Sequence, residues 1–155
     1  MSIISEGSDA PDFSMRDSMG KIFKLSDLKD KKNVVVYFYP KDFTPGCTTE
    51  AAEFSRDYAK FADAGIEIVG ISPDSEESHD KFRAKMGMPY PLVADTTKEV
   101  AKEYGVFGKK NFMGREFMGV MRTTFLIDKS GKVIKVFDRV KPAGHSKEVF
   151  ESFKL

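Results

Sequence analysis

The chain lacks the features that mark several classes of protein. It has one cysteine, Cys47, among 155 residues, so no intramolecular disulfide can form. Its 25 basic and 24 acidic residues leave a net charge of +1, and no basic stripe carries interleaved aromatic residues, which argues against a nucleic-acid partner. No apolar run reaches the length of a membrane span, and residues 1–11 have no signal-peptide pattern. We therefore expect no membrane partner and a cytoplasmic location.

What is present is typical of one globular domain. Apolar residues make up 41% of the chain and charged residues 32%. The sequence contains no internal repeat, low-complexity tract or long linker, so we predict a single domain over residues 1–155. Folding at this length buries roughly 70% of the surface of the unfolded chain, and stability then requires neither a disulfide nor a metal.

Strand and helix patterns alternate along the chain. The continuous apolar run 34–39 indicates a central strand buried on both faces, and the following helix places Cys47 on its inward face. A hairpin closes at 129–131, and a smaller one is predicted around 18–20. The other predicted strands cover 66–72, 92–94, 123–128 and 132–138, and the other predicted helices cover 76–86, 96–104 and 146–153. These elements predict an α/β fold, with a central mixed β-sheet flanked by helices on both faces.

Local signals also mark the helix starts. Asp74 or Ser75 is available to cap the helix over 76–86, and Thr96 and Glu99 have the spacing of a capping box for the helix over 96–104.

The cysteine lies where a helix begins. With Thr44 as the N-cap, Pro45 takes the first helical position and Cys47 the third, so the Thr44 hydroxyl can accept the Cys47 N–H and still donate to a thiolate. Gly46 leaves the approach to this helix end open. Unpaired N–H groups and the helix dipole favour the nucleophilic thiolate. On composition alone, a buried inert thiol is the alternative.

Pro40, Thr44 and Cys47 form the pattern P-x-x-x-T-x-x-C, which resembles the active-site signature of the peroxiredoxins. The string 41–51 resembles the bacterioferritin-comigratory, or PrxQ, subfamily closely. Further similar segments are 10–13, 107–108, 112–114 and 122–128, so the resemblance spans nearly the whole chain.

This resemblance implies a thioredoxin-like fold and the reduction of hydrogen peroxide and organic hydroperoxides to water or alcohol. It implies no metal, haem, flavin or other cofactor. By motif position, Cys47 is the peroxidatic cysteine, Thr44 a hydrogen-bonding hydroxyl, Pro40 a ring that shields the thiolate from water, and Arg122 a guanidinium at the active site. Glu50 either bonds Arg122 or favours the helix N-terminus, and both interpretations stay open.

The resemblance fails at Ala52, where subfamily members often carry a resolving cysteine. A sulfenic acid at Cys47 has no second thiol in the chain. The resemblance therefore implies an external thiol reductant such as thioredoxin or glutaredoxin. It implies a monomer, with a dimer as the alternative.

The remaining candidates have simpler interpretations. His79 and His145 are expected at the surface, since neither has a metal-ligand pattern around it. A cluster of methionine and phenylalanine residues is interpreted as core or as a hydrophobic collar around the active site, in preference to a contact surface; it comprises Phe112, Met113, Phe117, Met118 and Met121.

Two other functions are weighed against a peroxidase. A thiol-disulfide oxidoreductase normally needs a C-x-x-C pair, and Glu50 stands three residues after Cys47. A non-catalytic binding or holdase module of the same fold predicts no peroxide turnover.

Overall fold

The computed structural model describes residues 3–153, and the remaining residues of the predicted 1–155 domain lie outside the described part. The strands are β1 (Ser14–Arg16), β2 (Ile22–Lys24), β3 (Asn33–Phe38), β4 (Ile66–Ser72), β5 (Leu92–Ala94), β6 (Phe107–Phe112), β7 (Arg115–Val120), β8 (Thr123–Ile127) and β9 (Val133–Phe137). The helices are α1 (Pro45–Asp63), α2 (Glu76–Met86), α3 (Glu99–Glu103) and α4 (His145–Ser152), and a 3-10 turn spans Leu25–Leu28. None of the described helices is long and apolar enough to cross a membrane.

The central sheet has five strands in the order β5-β4-β3-β8-β9. Strand β3 runs parallel to β4 and antiparallel to β8, while β4 and β5 are parallel and β8 and β9 antiparallel. The apolar side chains of β3 are buried on both faces, as its uninterrupted apolar run predicts. The predicted mixed sheet is confirmed, with β3 in the middle.

Helices cover both faces of this sheet, as predicted. On one face, a buried cluster joins Phe54 of α1, Phe82 of α2 and Val149 of α4. On the other face, Val100 of α3 packs with the N-terminal segment through Phe13. Because each helix turns an apolar stripe toward the sheet, the layers enclose two cores with β3 between them.

The start of α3 differs from its prediction. The helix begins at Glu99, after Lys98 in a left-handed conformation, and Thr96 does not cap it. Instead the buried Asp95 carboxylate accepts the N–H groups of Val100 and Ala101 at 3.2 and 2.9 Å. The predicted capping box is wrong, because a carboxylate one residue earlier already satisfies the free N–H groups. At α2, Ser75 is the predicted cap, and its Oγ accepts the Ser78 N–H.

Three hairpins complete the fold. The β1–β2 and β8–β9 hairpins were predicted, and β6–β7 was not. The β6–β7 turn passes through Met113 and Gly114, both at positive φ, and Met113 is 86% exposed. The core interpretation is therefore wrong for the exposed side chains of this ribbon, which are Phe112, Met113, Phe117 and Met118. A two-stranded ribbon has no second layer to bury them.

Candidate active site

Cys47 lies in the first turn of α1, directly beyond the C-terminal end of β3. Thr44 is the N-cap in extended conformation and Pro45 is the first helical residue, as the capping rules predict. The first helical hydrogen bond is donated by the Thr48 N–H to the Thr44 carbonyl at 2.8 Å. The N–H groups of Gly46 and Cys47 precede this bond and have no helical carbonyl to bind, and Pro45 has no N–H. The whole residue is buried, with 1% of its surface exposed.

Arg122 reaches the sulfur from the neighbouring strand. It comes one residue before β8, and Thr123 of β8 pairs with Phe38 at the end of β3, so the register holds Arg122 opposite the α1 start. Its Nη2 donates to Cys47 Sγ at 3.3 Å. Its Nη1 donates to Glu50 Oε1 at 2.8 Å. One guanidinium therefore joins the thiol to a carboxylate.

Glu50 bonds Arg122, the first of the two interpretations left open by the sequence. Its side chain is buried, and its second oxygen, Oε2, has no hydrogen-bond partner among residues 3–153. Burial raises the pKa of Glu50 to about 7, against the opposing effect of the Arg122 charge. The carboxyl therefore titrates near neutral pH within contact distance of the guanidinium.

Thr44 is placed at the site but uses its hydroxyl differently from the prediction. Its Oγ1 donates to the Lys41 carbonyl at 2.7 Å and makes no side-chain cap bond to the helix. The expected bond from the Cys47 N–H is wrong, because the tight turn at Phe43, with φ of 66°, brings the Lys41 carbonyl to the hydroxyl. The lone pairs of Thr44 Oγ1 remain available as acceptors.

Gly46 gives space to the guanidinium. A Cβ at this position would lie 3.0 Å from Arg122 Nη2 and 3.3 Å from Pro142 Cγ. The sequence interpretation, an open approach to the helix end, is corrected in part, since Arg122 and Pro142 fill much of that space. A methyl group here would press on the guanidinium that contacts the sulfur, which would have to shift by a few tenths of an ångström.

A cavity of about 550 Å³ opens in front of this cluster. Pro40, Thr44, Gly46 and Arg122 line one side of it. The apolar side chains on the other side come from the β6–β7 hairpin and are Phe107, Phe112, Phe117 and Met118. Three cationic side chains also line the cavity, namely Lys41, Lys98 and Lys110. Among the described residues that line it, none is acidic. The collar interpretation thus fits Phe112, Phe117 and Met118, whereas Met113 and Met121 do not line the cavity.

Both histidines are buried, so the predicted surface positions are wrong. His79 Nδ1 lies 2.8 Å from Asp42 Oδ2. His145 Nε2 lies 2.8 Å from Thr124 Oγ1, and burial lowers the pKa of His145. These partners are 37 and 21 residues away along the chain, and no local pattern shows them. Asp42, within the string 41–51, was the one signal that could have pointed to the His79 cluster.

Comparison with known proteins agrees with this geometry. The AhpC/TSA family profile matches residues 7–136. The chain belongs to the AhpC/TSA family. It is 44% identical to the peroxiredoxin Bcp of Bacillus subtilis over 151 residues, which cover 97% of this chain and 96% of that protein. The predicted resemblance to the Bcp/PrxQ peroxiredoxins is confirmed.

Two solved structures extend this similarity. The Xanthomonas campestris bacterioferritin comigratory protein, solved in a study of its alkyl peroxide reduction activity, has a TM-score of 0.88 and 36% identity, covering 99% of this chain and 98% of that one. A yeast mitochondrial 1-Cys peroxiredoxin, whose thiol resolution was studied with the glutathione and thioredoxin systems, has a TM-score of 0.83 and 26% identity over 98% and 77% of the two chains. The thioredoxin-like fold and the assignment as a thiol peroxidase are confirmed, and the two alternative functions are set aside.

Proposed function

We propose that Cys47 reduces hydrogen peroxide and organic hydroperoxides, with Arg122, Thr44 and Pro40 as the other members of the site. The observation that carries this proposal is the contact between Arg122 Nη2 and Cys47 Sγ at 3.3 Å. A cation about 4 Å from the sulfur contributes roughly 4 kcal/mol in an effective dielectric near 20, whereas the helix dipole contributes about 0.3 to 1 kcal/mol. The guanidinium therefore acts on a charge at the sulfur more strongly than the helix dipole does.

The reaction is an in-line attack by the Cys47 thiolate on the terminal peroxide oxygen. A sulfur–oxygen bond forms, the oxygen–oxygen bond breaks, and hydroxide or alkoxide leaves and takes a proton from water. The sulfur is oxidised to a sulfenic acid, and the peroxide is reduced to water or an alcohol. Two external thiols then restore Cys47 through a mixed disulfide.

Ionisation alone explains little of the rate. An ordinary thiol with a pKa near 8.5 is already about 10% ionised at pH 7.5, so full ionisation gains at most about tenfold. The rest is assigned to hydrogen bonds that strengthen as charge moves between the two oxygens. Arg122 and the free N–H groups of the helix start donate to the peroxide oxygens, and the Thr44 lone pairs accept the peroxide O–H. Pro40 lines the cavity and excludes water from the thiolate.

The cavity and the single thiol support a substrate range and a class of reductant. The alkyl peroxide activity of the Xanthomonas campestris protein and the apolar wall of the β6–β7 hairpin support organic hydroperoxides as substrates. The yeast 1-Cys protein supports an external thiol, thioredoxin or glutaredoxin, as the reductant. We further propose a monomer that works in the cytoplasm, where a reducing thiol pool is available.

The test is peroxide consumption in competition with horseradish peroxidase, for the natural chain, Cys47→Ser and Arg122→Gln. Cys47→Ser should lose the reaction entirely. Arg122→Gln should lose more than the tenfold that ionisation can explain, in the manner of a removed transition-state donor. A rate unchanged in Arg122→Gln would remove Arg122 from the mechanism, and a reactive Cys47→Ser would overturn the proposed function.

A further inference from the structure

The loop Pro40–Thr44, which joins β3 to α1, carries two of the proposed site residues at its ends. Its backbone is not held by local preference, since Phe43 adopts a left-handed conformation with φ of 66°. A bulky residue rarely occupies this region, and surrounding contacts must impose it. The Phe43 side chain is itself partly exposed, so its burial does not fix the loop.

Asp42, in the middle of this loop, is the centre of a buried hydrogen-bond network. Its side chain is 3% exposed. Oδ1 accepts the Tyr39 hydroxyl at 2.7 Å, and Oδ2 accepts Ser78 Oγ and lies against His79 Nδ1, both at 2.8 Å. Its backbone N–H donates to Asp74 Oδ2 at 2.8 Å. One loop residue is thereby bound to the end of β3, to the β4–α2 connection and to α2.

The network continues to strands β4 and β5, and β5 is the edge strand of the central sheet. His79 Nε2 lies 3.1 Å from the Val93 carbonyl of β5, which can only accept, so this nitrogen carries a hydrogen. Ser72 Oγ donates to Asp74 at 2.6 Å and so holds the acceptor of the Asp42 N–H. Ser72 belongs to β4, Val93 to β5, and Ser78 and His79 to α2, while Asp74 lies in the β4–α2 connection. Hydrogen bonds to residues of β4, β5 and α2 therefore fix the position of the loop.

The same side chains have the spacing of metal ligands, because one ligand atom from each of Asp42, Asp74 and His79 lies within 4.8 Å of the others. The hydrogen bonds decide against that use. The Tyr39 and Ser78 hydroxyls and the Asp42 N–H point their hydrogens at the carboxylate oxygens, where a cation would have to bind. The cluster is organised as a network of donors and acceptors that satisfy one another.

We propose that Asp42 is a positioning residue for the peroxide reaction, holding the loop Pro40–Thr44 against Cys47 through its bonds to Tyr39, Ser78 and His79. This inference rests on the proposed function. A buried carboxylate is tolerated only when it is hydrogen-bonded, and an amide at this position would turn an NH2 donor toward a partner that now faces a carboxylate oxygen. Since a misplacement of about 1 Å costs on the order of a hundredfold in rate, a loosened loop should slow the peroxide step strongly.

The test compares two reactions of Cys47 in Asp42→Asn. Reaction with hydrogen peroxide is measured by competition with horseradish peroxidase, and alkylation by iodoacetamide is followed by intact mass. Alkylation needs the thiolate, which Arg122 supports, but not Thr44 or Pro40. We expect the peroxide rate to fall by about tenfold to a hundredfold. The alkylation rate should stay the same or rise. The ratio of the peroxide rate to the alkylation rate should therefore fall, and this ratio is the quantity to compare between variants.

Val69→Ala is the matched control, because Val69 is fully buried in β4 but faces the opposite core. It should lower stability and leave the ratio of rates unchanged. Ser78→Ala and Tyr39→Phe each remove one donor to Asp42, should lower the ratio by less, and keep the test valid if Asp42→Asn folds poorly. An unchanged ratio in all three network variants would overturn the role of Asp42. The natural chain's own peroxide rate tests the proposed function separately.

Discussion

Helices α1 and α2 both follow parallel strands of the central sheet, but their first turns are built differently. In α2, Ser75 Oγ accepts the Ser78 N–H at 3.1 Å, and two glutamates add negative charge beside the helix dipole. In α1, Thr44 donates away from the helix, and the first turn has no acidic residue. The start of α2 is thus satisfied by its own side chains. The start of α1 has no such side-chain partner, and its first turn carries Cys47.

The largest expected effect concerns Glu50 of α1. The glutamates of α2 lie exposed in its first turn, whereas Glu50 is buried beside Arg122. Because burial raises its pKa from 4.5 to about 7, the folded chain binds this proton more tightly than the unfolded chain. The associated stability is fully present below about pH 4.5 and is lost as pH rises through 7. The shift corresponds to about 3 kcal/mol across that window.

Glu50→Gln should remove this pH dependence. Urea unfolding of the natural chain and of the variant at pH 5 and pH 8 gives the difference directly. The control is Glu151→Gln, which changes an exposed carboxylate on α4 and should leave the pH dependence intact. Equal loss of stability between pH 5 and pH 8 in the natural chain and Glu50→Gln would show that Glu50 is charged throughout.

The next effect compares the second helical position of the two helices, Gly46 in α1 and Glu77 in α2. Gly46→Ala places a methyl group 3.0 Å from Arg122 Nη2 and should displace the guanidinium from the sulfur. We expect the peroxide rate to fall by up to about tenfold, since the guanidinium must shift by a few tenths of an ångström and a misplacement of about 1 Å costs on the order of a hundredfold. Glu77→Ala changes an exposed side chain and should leave the rate unchanged. An unchanged peroxide rate in Gly46→Ala would mean that the Arg122 guanidinium can move aside without slowing the reaction.

A smaller effect separates capping from chemistry. Ser75→Ala removes a cap bond and should cost about 1 kcal/mol of unfolding free energy, with the peroxide rate unchanged. Thr44→Val removes only the bond to the Lys41 carbonyl, so it should cost less stability than Ser75→Ala but slow the peroxide reaction. Thr44→Ser should restore the rate. Urea unfolding measures the unfolding free energy, and the competition assay measures the peroxide rate. If Thr44→Val kept full activity, the role of Thr44 would be structural only.

The same contrast explains what could be predicted from the sequence. The β3 strand and the start of α1 follow from an uninterrupted apolar run and from Pro45 after Thr44, which are local signals. Arg122 was assigned by resemblance to a family motif, and its contact with Cys47 depends on the pairing of β8 with β3, which no local pattern shows.

The predictions that failed depend on partners distant in sequence or on competition between nearby groups. His79 is buried because its ring nitrogens find partners in Asp42 Oδ2 at 2.8 Å and the Val93 carbonyl at 3.1 Å, and both partners are contributed by other elements. At α3 the Asp95 carboxylate accepts the N–H groups in place of Thr96, whereas the Thr44 hydroxyl is turned toward the Lys41 carbonyl, to which it donates. A capping rule identifies a group that can bind, but not the competitor that binds first.

The last prediction tests whether the start of α1 can come apart, and it should leave the first chemical step unchanged. Ala52 is exposed on α1, five residues after the buried Cys47. Five residues of helix span about 7.5 Å along the axis and turn the side chains roughly 140° apart, so a disulfide cannot form unless the first turns unwind. The free N–H groups and the absence of a side-chain cap make this end of α1 easier to open than that of α2.

We expect Ala52→Cys to react with peroxide as fast as the natural chain and then to form an intramolecular disulfide that thioredoxin reduces. Ala59→Cys, exposed farther along the same helix, is the control and should remain a free thiol. Intact mass after one equivalent of peroxide, with and without thioredoxin, distinguishes the sulfenic acid, the disulfide and the overoxidised sulfinic acid. If Ala52→Cys keeps two sulfurs unlinked while Cys47 is overoxidised, the start of α1 stays folded on the time scale of oxidation. The first turns of α1 and α2 would then differ in the chemistry of their side chains but not in how easily they unwind.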